Sequence, residues 1–276
     1  MNLESEVAEP SAPPPPPCIG VFDSGVGGLS VLDAIRRRLP GAPLVYLGDV
    51  AHAPYGARSS EEIVDRSLRI VHWLHDQGAR LIVVACNTAT AVAIDTLRTR
   101  QPGLTFVGVE PGVKPGVSRS RTRRIAVMVT AATANSPRLQ DLIARHAGTA
   151  WVHVQPCPGL ADAIERGVLG EHELIAVLQP HCDAIRAANV DTVVLGCTHY
   201  PFARDTIRAL LGDGVTLIDT ASAVAERTAS LWSDSSPGST KAPRQRVTST
   251  GSGATMQLLM DRCPGLAHLS VEAVRL

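Results

Sequence analysis

The chain has no net charge, almost no lysine, no closely paired cysteines and no long apolar run. Its 26 basic residues balance 26 acidic ones, which leaves no electrostatic footprint for nucleic acid or an anionic membrane surface. No apolar run approaches the roughly 18 residues of a membrane-spanning helix. The start, Met1-Asn-Leu-Glu-Ser-Glu6, lacks the basic and apolar regions of a signal peptide, so the expected address is the cytoplasm. Cysteines in that compartment are expected as reduced thiols. They stand at positions 18, 86, 157, 182, 197 and 263. No Cys-x-x-Cys pair occurs among them, so zinc-ribbon and thioredoxin readings lose their usual support. Cys18, Cys182 and Cys263 read as small buried hydrophobes. Only Lys114 and Lys241 are lysines, so a pyridoxal Schiff base has two possible positions. Lys241 lies in the polar stretch 233–246, a poor setting for an aldimine; Lys114 stays open.

What is present is an ordinary globular composition, 276 residues with 45% hydrophobic and 19% charged. Residues 10–17, Pro-Ser-Ala-Pro-Pro-Pro-Pro-Pro, form a proline-rich leader without a core of its own, so residues 1–17 are placed outside the fold. From Cys18 onward short β-branched runs alternate with longer helical patterns. Strands are expected at 18–23, 44–48, 80–85, 104–108, 124–129, 150–154, 191–196, 215–218 and 245–249. Helices are expected at 27–39, 60–77, 88–99, 136–147, 159–167, 171–188, 201–211, 220–232 and 253–261. This alternation predicts an α/β fold with mainly parallel sheets. A weak internal repeat aligns Ile19-Gly-Val-Phe-Asp23-Ser24 with Ile125-Ala-Val-Met-Val129-Thr130. Two further segments, Leu81-Ile-Val-Val-Ala-Cys86-Asn-Thr88 and Thr192-Val-Val-Leu-Gly-Cys197-Thr-His199, lie about 110 residues apart, close to the same offset. Two pseudo-symmetric α/β domains facing each other account for both pairs. Pro111-Gly112 and the basic loop 118–124 mark the crossover. Ligands of open α/β sheets bind beyond the carboxyl ends of strands, so the interdomain cleft is the expected active site.

Gly20-Val-Phe-Asp23-Ser24-Gly25-Val-Gly27-Gly28-Leu-Ser30 reads as strand, glycine loop and helix start. It admits a tight turn, an anion site at a helix N-terminus, or a dinucleotide loop with Asp49 as the ribose acid. Against the last, Ser30 replaces the third small apolar position and Asp23 would crowd a pyrophosphate. Asp23, at a strand mouth, can relay protons or hold an ammonium beside a thiol, or merely cap the loop. Gly48-Asp49-Val-Ala-His52-Ala-Pro54-Tyr55-Gly56 is either a rigid turn with a packed tyrosine or a fixed backbone offering N–H groups to a carboxylate. Cys86 and Cys197 each follow a buried strand at a helix start, a placement that lowers a thiol from its usual ~8.5. His199 stands two residues from Cys197. Asn87, Thr88 and Thr198 can hydrogen-bond substrate oxygens or an ammonium. Two core cysteines, or a weakly supported zinc site, are the alternatives.

Phe22-Asp23-Ser24-Gly25-Val-Gly27-Gly28, Pro54-Tyr55-Gly56, Ala85-Cys86-Asn87-Thr88-Ala89, Glu110-Pro-Gly112 and Gly196-Cys197-Thr198-His199-Tyr200-Pro201 stand in the order found in the cofactor-independent aspartate/glutamate racemase family. The chain resembles that family over everything after the leader. The resemblance implies a two-base racemase without cofactor or metal, acting on a small-molecule substrate. Cys86 and Cys197 would be the acid/base thiols, Cys86 for the D-isomer and Cys197 for the L-isomer. Asp23 would assist Cys86, and His199 would assist Cys197. Glu165 would orient the histidine. Ser24, Tyr55, Gly56, Asn87, Thr88 and Thr198 would hold the amino acid with Asp23 and His199. The Cys-Thr-His ending favours glutamate, with aspartate or a related acidic amino acid as the alternative substrate. Val129-Thr130 stands where the family usually has Gly-Thr, which leaves a contact from Thr130 open. The family role is D-glutamate supply for peptidoglycan. Its pattern joins residues 224–276 to 18–112 as one domain, with 113–223 as the second. No nucleic-acid or membrane partner is implied; a homodimer is compatible with the residues, which do not decide it.

Overall fold

The computed structural model of this protein describes residues 15–168, 170–232 and 244–276. The leader up to residue 14 lies outside them, as does Lys241. In chain order the strands are β1 (Cys18–Asp23), β2 (Leu44–Gly48), β3 (Ala79–Val84), β4 (Thr105–Gly108), β5 (Arg124–Val129), β6 (Trp151–Pro156), β7 (Thr192–Leu195), β8 (Thr216–Ile218), β9 (Gln245–Ser249) and β10 (Val271–Ala273). They form one sheet in the order β10-β9-β2-β1-β3-β4 and a second in the order β6-β5-β7-β8. Every strand pairing among the described residues is parallel. Burial on both faces explains the unbroken apolar runs: all six residues of β1 and all four of β7 are buried.

The expected ranges of β1, β2, β5 and β9 coincide with the observed strands, and the others shift by one or two residues. β10 was not expected: Val271-Glu-Ala273 is a short, largely exposed edge with no apolar run. Helix Val113–Arg119 also fills part of the expected crossover, although Pro115 and Gly116 weaken its local signal. The expected helix 201–211 divides into a 3-10 turn, Tyr200–Ala203, and a helix, Arg204–Leu211. Where capping is strong the boundaries follow it. Ser59 and Glu62 form a reciprocal capping box that starts helix Ser60–Asp76.

The internal repeat is a topological one. β2-β1-β3-β4 and β6-β5-β7-β8 have the same order. The residue after β3, Ala85, donates its N–H to Phe22 at 2.7 Å, and the residue after β7, Gly196, donates to Met128 at 2.8 Å. Both cysteines therefore leave equivalent strands at equivalent points, two residues past the last strand residue. The C-terminal segment returns to the first sheet, where β9 pairs with β2 over Leu44–Gly48. One apolar cluster runs through both sheets, from Ile19 and Val21 to Ala126, Met128 and Leu195.

Candidate active site

Polar side chains buried at the carboxyl ends of the two sheets bond directly across the gap between them. The Thr198 hydroxyl donates to Asp23 Oδ2 at 2.8 Å, and the Val26 N–H donates to Glu165 Oε1 at 2.8 Å. Ser30 Oγ reaches the Thr198 carbonyl at 3.2 Å, and the Thr88 and Thr130 hydroxyls meet at 3.1 Å. The two sheets thus face each other through their strand ends, and the residues singled out in the sequence meet there.

Each thiol begins a short chain that ends on a carboxylate. Cys86 Sγ lies 3.6 Å from Ser24 Oγ, which donates to Asp23 Oδ1 at 3.1 Å. Cys197 Sγ lies 3.5 Å from His199 Nδ1, and His199 Nε2 meets Glu165 Oε1 at 2.5 Å. The chains differ in the middle group, a hydroxyl in one and an imidazole in the other. Cys86 and Cys197 are both buried, as are Asp23 and His199.

Cys86 does cap helix Asn87–Arg100 and accepts the Ala89 N–H at 3.3 Å. Its expected lowering is nevertheless reversed. Burial, and then the charge of Asp23, push the thiol up to about 12, outweighing the N–H donor. It is a neutral acid at pH 7. Burial alone would pull His199 down, but Cys197 and Glu165 outweigh it and hold the imidazole well above the usual histidine range. Burial also raises Asp23, against the pull of His199, the Gly25 N–H and the Thr198 hydroxyl. One thiol thus sits beside a carboxylate and the other beside an imidazolium.

The glycine loop owes its composition to close approach. Gly25, Gly27 and Gly28 are not among the residues with positive φ. A methyl at Gly25 would overlap the Glu165 carboxylate, and one at Gly27 would overlap the His199 ring. Two of the loop's donors are engaged by protein carboxylates: the Gly25 N–H binds Asp23 Oδ1 at 2.9 Å and the Val26 N–H binds Glu165. Asp49 is fully buried, accepting from Arg66 at 2.8 and 3.0 Å, Tyr55 at 2.7 Å and Thr250 at 2.7 Å. The dinucleotide alternative thus loses its ribose acid and two of its loop donors.

Tyr55 commits its hydroxyl to Asp49, and Gly56 packs close to Thr130. Asn87 Nδ2 makes a long contact to the Val109 carbonyl at 3.5 Å, and Thr88 is buried against Thr130. Thr130, left open by the sequence, is therefore part of the cluster. Its signal was the internal repeat, which pairs it with Ser24. The Asp49–Arg66 pair had no sequence signal, because Arg66 belongs to a helix whose spacing carries no chemistry. Lys114 is exposed on helix Val113–Arg119, not in this cluster. Among the described residues no group of three or more His, Cys, Asp or Glu is arranged to hold a metal ion. No helix among them is long and apolar enough to cross a membrane.

Residues 19–228 match the Asp/Glu/hydantoin racemase family, and the chain belongs to it. It is 46% identical over 228 residues to a glutamate racemase of Pseudomonas syringae pv. tomato, covering 82% of this chain and 83% of the relative. It is 49% identical over 207 residues to one of Ralstonia pickettii, covering 75% and 73%. Among solved structures, a glutamate racemase isoform of Bacillus anthracis superposes with a TM-score of 0.83 at 31% identity, covering 94% of this chain and 97% of that one. The Escherichia coli glutamate racemase, in complex with L-glutamate and the activator UDP-MurNAc-Ala, superposes with a TM-score of 0.80 at 32% identity, covering 95% and 100%.

Proposed function

We propose that this protein is an isomerase that interconverts L- and D-glutamate by two-base proton transfer between Cys86 and Cys197. The observation that carries the reading is the pair of thiols at equivalent strand ends, each linked through one group to a carboxylate but through groups of different charge. A racemase must remove a proton from one face of the α-carbon and return one to the other, so it needs a base and an acid at once. A Cys86 thiol kept neutral by burial and Asp23 can deliver a proton, and Cys197, in contact with His199, is placed to take one.

With L-glutamate bound, Cys197 Sγ takes the α-proton and Cys86 then delivers its own to the opposite face; with D-glutamate the roles reverse. Asp23 acts on Cys86 through Ser24. His199, held by Glu165, acts on Cys197. Ser24, Asn87, Thr88, Thr198 and the Tyr55–Gly56 backbone hold the carboxylates and ammonium. The α-proton is far less acidic than a thiol, so the barrier falls only if the substrate carboxylate is hydrogen-bonded as it gains enolate character in a dry site. Burial of this cluster supports that condition.

The relatives' names support glutamate as substrate. The same reading places the activity in the cytoplasm, supplying D-glutamate for peptidoglycan. It divides the chain into 18–112 with 224–276, and 113–223; the pairing of β9 and β10 into the first sheet supports this. The test uses Cys86→Ser and Cys197→Ser with each enantiomer in deuterated water, following optical rotation and α-deuteration. Each variant should lose racemisation by several orders of magnitude. Normal racemisation of both enantiomers by either variant would refute the two-base assignment.

A further inference from the structure

Resting on that two-base reading, we propose that the first domain's glycine loop is a positioning element for the second domain's base: the Val26 N–H, admitted by the notch at Gly25, fixes Glu165 and through it His199 beside Cys197. Glu165 Oε1 receives two donors, one from each side of the gap. His199 Nε2 approaches from its own domain at 2.5 Å and the Val26 N–H from the opposite one at 2.8 Å. Among the described residues Glu165 Oε2 has no partner although it is buried. The whole hydrogen-bonded hold on this carboxylate therefore runs through Oε1, and removing the Val26 donor leaves the His199 contact alone.

The contact requires glycine for a steric reason. A Cβ built on Gly25 has as its three nearest atoms the two oxygens and the carboxyl carbon of Glu165. Gly27 presents the corresponding gap to His199 and Thr198. The Gly25 carbonyl accepts the Tyr46 hydroxyl at 2.7 Å, which pins the notch to β2 from behind. Approach of the two domains thus completes the Cys197–His199–Glu165 chain with a backbone donor that the second domain does not contain. The Cys86 chain does not run through Glu165: Ser24 and Asp23 belong to its own domain, and the donor Asp23 receives across the gap is Thr198, not the notch. The inference is that disturbing the notch affects one proton transfer and spares the other.

The experiment compares Gly25→Ala, Glu165→Ala and the double variant with the wild type. The φ of Gly25 is not positive, so alanine can adopt the backbone and its methyl acts on Glu165. Displacing a positioning group by about 1 Å is expected to lower kcat/KM about 100-fold. The loss must be equal in both directions because the equilibrium constant of racemisation is one. The step affected is read from primary isotope effects with α-deuterated substrates. The effect should rise for L-glutamate, whose proton goes to Cys197, and fall for D-glutamate. In the Glu165→Ala background, Gly25→Ala should add less than about twofold, since coupled residues are not additive. Activity of Gly25→Ala within about threefold of wild type, independent losses in the double variant, or equal isotope effects for both enantiomers would each overturn the proposal. If Gly25→Ala does not fold, the double variant, with the overlapping carboxylate removed, should recover the melting temperature of Glu165→Ala; failure to recover also overturns it. Because this stability cycle needs no substrate, it separates failure of the notch from failure of the racemase reading, which an inactive wild type would reveal.

Discussion

Thr198→Val isolates the hydrogen bond that joins the two domains at Asp23. The hydroxyl donates to Asp23 Oδ2 at 2.8 Å, and both residues are buried. Valine nearly keeps the volume but removes the donor, leaving a carboxylate oxygen unpaired. A hydrogen bond to a charged group contributes about 1.5–3 kcal/mol, so ionised Asp23 would lose about 2 kcal/mol, roughly 30-fold in the unfolding constant. At about 2–4 °C per kcal/mol for a chain of this size, the melting temperature should fall by about 5 °C. The dependence on pH is the sharper test. Burial already raises Asp23 above the ordinary carboxylate value, and Thr198 is one of the groups that pull it back. A raised native pKa means stability that is fully present below the unfolded value and lost as pH rises through the native one. The substitution raises that native pKa further and enlarges the loss. The penalty should therefore be smallest at acid pH, where Asp23 is protonated in both proteins, and grow toward the alkaline side. Urea midpoints of the two proteins at intervals from about pH 5 to about pH 9 measure it. A penalty that is constant, or that grows toward acid, would refute the assignment of this bond to the Asp23 carboxylate.

Arg66→Ala should destabilise the protein by about 3–5 kcal/mol, since it strips the two guanidinium bonds from a fully buried Asp49. Adding Asp49→Asn should recover part of that loss in urea unfolding, and a double variant no more stable than Arg66→Ala would count against a buried charge as the cause. Asp191 accepts from Ser120 at 2.6 Å, from the Arg121 and Thr122 N–H groups at 2.8 Å each, and from Thr192 at 3.0 Å. Burial is the largest single effect and raises it, but these donors together outweigh burial and hold it down to about 2. Because its native pKa is depressed, its contribution is present above the ordinary carboxylate value and lost as pH falls toward about 2. Asp191→Ala should cost about 1–2 kcal/mol at pH 7, reduced by solvent screening, and almost nothing near pH 2. A penalty unchanged between those two pH values in urea titrations would exclude the carboxylate's charge as its source.

Much of the architecture was legible because parallel strands buried on both faces must be continuously apolar. β1, β2 and β5 were therefore found at their observed limits. Three-residue β10 and helix Val113–Arg119 were not, because the first has no apolar run and the second carries Pro115 and Gly116. The cysteines, Ser24, Asp23 and His199 stood out since each is a polar residue at, or within a few residues of, the carboxyl end of a strand. Arg66 did not, because its importance comes from Asp49, which lies on another element.

The sequence by itself determined the alternation of elements, the duplicated strand–cysteine frame and the residue types at each strand mouth, all consequences of local periodicity and spacing. It could not decide the direction of the Cys86 shift: the helix start predicts a lowered thiol, and burial beside Asp23 raises it to about 12. Nor could it decide why the loop holds glycine at positions 25 and 27. That reason lies in Glu165 and His199, which approach from the other domain. Desolvation and close approach both depend on which distant segments meet, and only the tertiary fold brings those segments together.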